Sequence, residues 1–73
     1  MGTVRADPAE SPSGPRIREG RKAAGLTQHE LAEAAGVSRQ TVISMETGDY
    51  APSVFLALRV ARALGTSVEH LWG

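Results

Sequence analysis

One piece of punctuation recurs along most of this chain. Gly25, Gly36, Gly48 and Gly65 are each followed, within a few residues, by a hydroxyl side chain: Thr27, Ser38, Ser53 and Ser67. A glycine ends a helix because it enters the left-handed backbone conformation without a Cβ clash. A serine or threonine begins the next because its oxygen accepts from a free N–H of the first turn. The pattern therefore predicts short helices joined by joints of two to six residues: about 15–24, 28–35, 39–47, 54–64 and 68–72. Thr27-Gln28-His29-Glu30 has the spacing of a capping box, and Thr66-Ser67-Val68-Glu69 permits another, with Thr66 or Ser67 as the cap. Pro15 suits a helix start. The glycines are read as helix stops and tail residues. Apolar residues never alternate with period two, so no strand is expected.

The implied fold class is all-α, a compact five-helix bundle. A chain of 73 residues has room for one small domain. Such a chain buries only about 60% of its unfolded surface, so a fold with mostly local contacts suits it. Residues 1–15, MGTVRADPAESPSGP, hold three prolines, two serines and two glycines without apolar periodicity. They are expected to be a disordered arm. Residues 16–73 are expected to be the folded domain.

Several function classes are disfavoured. The chain has no cysteine, which removes disulfides and thiolate metal sites. No apolar run approaches the roughly 20 residues of a membrane span, and the N-terminus lacks the apolar core of a signal peptide. A cytoplasmic protein of bacterial or phage type is expected. His29 and His70 lie on different helices without evident co-ligands, so no metal is expected. Glu30 and Glu33 read as a cap and a helix face, and no glycine loop would cradle a phosphate. Neither a cofactor nor enzymatic activity is expected.

The joint between the second and third helices is about three residues long and contains Gly36, which is a helix-turn-helix pattern. Ala32 and Ala35 let the two helices approach closely, and Val37 plugs the turn. On a wheel of about 100° per residue, Val42 and Met45 of the third helix face inward, flanked by Ser38 and Thr41. Arg39, Gln40, Ile43, Ser44 and Thr47 occupy the opposite arc. That set is unusual for a solvated face and matches double-stranded DNA. An arginine fork pairs with guanine O6 and N7, a glutamine amide pairs with adenine N6 and N7, and an aliphatic side chain packs on a thymine methyl. Arg39, Gln40, Ile43 and Ser44 are the candidate base readers. Helix N-termini favour phosphate, which makes Thr27, Gln28, Ser38 and Thr41 candidate backbone contacts. Tyr50 and Ser53 in the following loop join them. Net charge is zero, with eight basic and eight acidic residues, so the whole chain exerts no strong steering field. Arg16, Arg18, Arg21 and Lys22 nonetheless cluster.

The segment LTQHELAEAAGVSRQTVISMETGDYAPSVFLALRVARALGTSVEHLW resembles the Xre / Cro-C1-type helix-turn-helix domain of phage repressors, the lambda-repressor-like fold, over residues 16–72. The motifs that carry the likeness are L-T-Q-x-E-L-A, G-V-S-R-Q-T-V, E-x-G, P-S and L-A-L-R-V-A-R-A-L-G. The resemblance implies a phosphate clamp at Gln28 and base readers at Arg39, Gln40 and Ser44. It also implies backbone contacts at Ser38 and Thr41, and a buried ion pair between Arg21 and Glu46. The chain departs from the family's pattern at Thr47, where asparagine is usual, at Asp49, where lysine is common, and at Ile43, a position that is usually polar.

In the fourth helix Val54, Leu56, Ala57, Leu58, Val60, Ala61 and Leu64 form a broad apolar arc, and Phe55, Arg59 and Arg62 fall outside it. An aromatic among arginines suggests a subunit or partner surface. Trp72 is first expected to fill the core. Leu71 and Trp72 are second candidates for the dimer surface, because the C-terminal helix often builds the dimer in repressors of this kind. The implied function is a sequence-specific DNA-binding transcriptional regulator, a repressor working as a homodimer on a palindromic operator. The alternative is a protein-interaction module of the same fold, an antitoxin or a transcriptional bridging factor.

Overall fold

The computed structural model describes residues 15–73. Of the anticipated arm, all but Pro15 lies outside the described residues. Five helices follow in order: α1 (Ile17–Ala23), α2 (Gln28–Ala35), α3 (Arg39–Thr47), α4 (Val54–Leu64) and α5 (Val68–Trp72). No strand occurs among the described residues.

Local chemistry sets most of the helix limits. Thr27 and Glu30 form a reciprocal capping box: the threonine oxygen accepts from the Glu30 N–H at 3.0 Å, and the Glu30 carboxylate accepts from the Thr27 N–H at 2.8 Å. Ser38, Ser53 and Ser67 each accept from the N–H three residues on, at 3.1, 3.1 and 3.0 Å. Ser67, not Thr66, is therefore the cap of α5. Gly36 and Gly48 end α2 and α3 at φ of 73° and 85°, a conformation costing an L-residue with a Cβ roughly 1–2 kcal/mol.

α1 begins two residues later than the proline suggests, and its start is tertiary. Arg16 occupies the N-cap without a side-chain capping bond. Its backbone N–H instead donates to the Leu71 carbonyl at 2.8 Å, and its guanidinium to the His70 carbonyl at 3.0 Å. The two ends of the described segment are thereby clasped. Gly20 lies inside α1 and is no helix stop. A Cβ placed there would meet Leu64 Cδ1 at 3.3 Å and Leu71 Cδ2 at 3.5 Å, so this glycine lets α1 sit close to α4 and α5.

The core gathers one face of every helix. Ile17, Leu31, Val42, Met45, Val60 and Leu71 are fully buried, with Ala32, Ala35 and Ala61 filling the close approaches between helices. Each large apolar side chain so enclosed contributes about 1.5–3 kcal/mol. Leu71 thus corrects one expectation: it is a core residue at 1% exposure and cannot line a partner surface. Only one side of α4 meets the rest of the bundle. Its apolar arc is therefore not buried as a whole: Leu56, Ala57, Val60 and Ala61 are, while Val54 and Leu58 remain exposed.

Candidate nucleic-acid interface

The turn between α2 and α3 is Gly36, Val37 and Ser38. The Val37 N–H donates to the Ala32 carbonyl at 2.9 Å, which closes the end of α2. The half-buried Val37 side chain packs against the core and fixes the angle at which α3 departs. α3 presses Val42 and Met45 inward. Arg39 and Gln40 stand exposed at its N-terminal end, Ile43 and Ser44 are half-exposed further along, and Thr47 is exposed at the far end.

Behind this arc lies a side-chain network centred on Glu46. One carboxylate oxygen accepts from Arg21 Nε at 2.6 Å, and the other accepts from Gln28 Nε2 at 3.1 Å. A terminal guanidinium nitrogen of Arg21 also donates to the Leu26 carbonyl at 3.0 Å. The Arg21 and Glu46 side chains are 11% and 7% exposed. The network ties together α1, the α1–α2 turn, the first residue of α2 and the last turn of α3. Beside it opens a groove of about 520 Å³, with Arg18, Thr27 and Gln28 on one wall and Ile43, Glu46 and Thr47 on the other.

The groove joins the base-reading arc to the N-terminus of α2, where unpaired N–H groups and the helix dipole favour an anion. Gln28 sits there half-buried, with one amide hydrogen engaged by Glu46 and the second unused in that contact. The hydroxyls of Thr27, Ser38 and Ser53 accept as caps, which leaves their own protons to donate. The Ser38 oxygen also lies 2.9 Å from the Thr41 hydroxyl, and either hydroxyl can donate to the other. Tyr50 is exposed in the loop. The Thr47 hydroxyl lies 3.1 Å from both the Ser44 carbonyl and the Asp49 carboxylate, which places a negative charge at the end of the arc.

The candidate partner residues do not form one surface. Phe55 is exposed and Arg62 is exposed on the same side of α4. Arg59 is committed within the molecule: its Nε donates to the Ala35 carbonyl at 2.9 Å and satisfies the C-terminal end of α2. Trp72 is half-buried against the core, and its indole N–H is buried without a partner among the described residues.

Arg18, named in the sequence only as part of a basic cluster, lines the groove; it lies three residues before Arg21 on the same side of α1. The Gln28–Glu46 bond joins residues 18 apart and has no local signature.

The sequence profile of the helix-turn-helix family matches residues 17–71. The chain belongs to this family, in its Xre/Cro-C1-like branch. An uncharacterised HTH-type transcriptional regulator of Methanothermobacter thermautotrophicus is 62% identical over 55 residues, covering 75% of this chain and 77% of its own. A second such regulator, from Archaeoglobus fulgidus, is 46% identical over 57 residues, covering 78% and 81%. Among solved structures, the restriction-modification controller protein C.AhdI of Aeromonas hydrophila superposes with a TM-score of 0.72 at 37% identity, covering 78% of this chain and 86% of that one. As a helix-turn-helix domain the chain is not an enzyme. Among the described residues no three His, Cys, Asp or Glu side chains gather as a metal site, and no helix is long and apolar enough to cross a membrane.

Proposed function

We propose that this protein is a sequence-specific double-stranded DNA-binding transcriptional regulator, a cytoplasmic, nucleoid-associated repressor that acts as a homodimer on a palindromic operator. The observation that carries the reading is the placement of Arg39 and Gln40, exposed at the N-terminal end of a helix whose opposite face is locked into the core. A helix entering the major groove puts its base contacts at that end. Arg39 takes guanine, Gln40 takes adenine, Ile43 packs on a thymine methyl and Ser44 contacts a base edge. Gln28, Thr27, Ser38 and Thr41 hold phosphates on either side, and Tyr50 and Ser53 extend that hold toward the loop. Repression is steric: an occupied operator excludes polymerase or another factor.

Selection of bound sites from random DNA tests this. Enrichment of a two-fold symmetric sequence, bound less tightly as salt rises, supports it. The exposed apolar residues of α4 favour a second reading, a protein-interaction module. An affinity for partner that is flat with salt, with no DNA sequence enriched, would favour that reading instead.

A further inference from the structure

The C-terminal end of α3 carries a charge of the wrong sign for a helix. Backbone carbonyls make that end the negative pole, which favours Lys, Arg or His and disfavours an acid. The last turn of α3 holds no basic residue. Asp49 follows directly after Gly48, and its N–H folds back to donate to the Ser44 carbonyl at 2.9 Å. Its carboxylate is held toward the helix, with Oδ2 3.1 Å from the Thr47 hydroxyl. No ion pair compensates it among the described residues. An exposed acid that works against its own helix dipole is a local inconsistency, and such inconsistencies gather at functional sites.

Position says what that function is. Asp49 stands between Thr47, which closes the outer arc of α3, and Tyr50, exposed in the loop as a candidate backbone contact. Thr47 also lines the groove opposite Arg18 and Gln28. A duplex that touches the arc and the loop together brings a phosphate up to a fixed negative charge. Attraction at this face is thin to begin with. Arg21 is engaged by Glu46 and Arg59 by the Ala35 carbonyl, and Asp49 offsets one of the cations that remain.

We propose that Asp49, held by Thr47, is an affinity-setting residue that acts by repelling phosphate. It lowers the affinity for every duplex alike, so that phosphate contacts alone do not hold the chain to DNA and the base contacts of α3 are required. The proposal rests on the reading of α3 as the helix that faces DNA. Binding without regard to sequence comes from neutralised phosphates, and a fixed carboxylate beside the backbone subtracts from that contribution while leaving the base contacts untouched.

The test uses the full chain and the variants Asp49→Asn and Asp49→Lys. Each is titrated with the selected operator and with an unrelated duplex of the same length, at several salt concentrations. Asp49→Asn is expected to bind both duplexes more tightly by the same factor, roughly 3–10-fold at low salt, as one charge a few ångström from a phosphate in a largely aqueous setting would give. Asp49→Lys should bind tighter still. It should also steepen the logarithmic salt slope by about 0.9 for each copy bound, the signature of one more neutralised phosphate. Unchanged affinity in both variants overturns the proposal, and a lower melting temperature by circular dichroism alongside it assigns Asp49 to the fold. A loss confined to the operator also overturns it, and makes Asp49 a base reader that accepts from a cytosine amine. The unrelated duplex keeps the two readings apart. If no sequence is enriched, the regulator reading fails by itself, while equal gains on any duplex still uphold the repulsion. If neither the wild type nor Asp49→Lys binds any duplex, both fall.

Discussion

Glu46→Ala is the sharpest probe of how α3 is held. The Glu46 carboxylate receives two side chains, Arg21 at 2.6 Å and Gln28 at 3.1 Å. Its removal leaves the Arg21 guanidinium, 11% exposed, with only the Leu26 carbonyl for company. An exposed ion pair would be worth ~0–1 kcal/mol. A buried cation stripped of its counter-charge loses ~3–5 kcal/mol, and exposures of 11% and 7% put this pair in the second class. A folded segment of this size has ~3–9 kcal/mol of stability in all. The variant should therefore lose a third of it or more, and its Tm should fall by at least ~12 °C. Urea unfolding followed by circular dichroism measures the loss, with an unchanged slope marking a true change in stability. The double variant Arg21→Met with Glu46→Leu removes both charges at once and should be more stable than Glu46→Ala alone. A single variant within 1 kcal/mol of the wild type would refute the argument. A double variant no better than the single would show that the stranded charge is not the cause.

Other perturbations separate base reading, phosphate contact and helix initiation. Arg39→Ala should lose ~1–3 kcal/mol on the preferred operator and relax the preference at one base pair. Equal losses on unrelated duplexes in a competition assay would reduce Arg39 to a phosphate contact. Gln28→Ala should weaken all duplexes about equally with little change in salt slope, because the lost donor is neutral. A loss confined to one sequence in the same assay would make Gln28 a base reader. Ser38→Ala removes the cap of α3 and should cost ~0.5–2 kcal/mol in thermal unfolding. No measurable shift would mean that the 3.1 Å bond to the Thr41 N–H contributes nothing net.

The helix limits were legible wherever their cause lies within one turn. Thr27, Ser38 and Ser53 act on amides three residues away, so α2, α3 and α4 begin where a local reading places them. The start of α1 was not legible because its partner, the Leu71 carbonyl, is 55 residues distant in sequence. The same division explains α4. Apolar residues cover most of its circumference, so the wheel alone cannot tell which part meets the bundle; only the positions of α1, α2 and α5 decide that Val60 is enclosed and Val54 is left in water. Phe55 was legible as an outsider because Arg59 and Arg62 share its side. In the candidate site, the residue types on α3 follow from the wheel, since Val42 and Met45 fix its inward face. The direction in which that arc points does not follow from the wheel. It depends on Arg21, Gln28 and Glu46 meeting across three helices; the Arg21–Glu46 pair was anticipated only through the family resemblance, and the Gln28–Glu46 bond not at all. On the proposed reading, sequence specificity and binding competence reside in separate sets of residues: changes at Arg39 or Gln40 are expected to alter which duplex is chosen, and changes at Arg21 or Glu46 whether the arc is presented to any duplex.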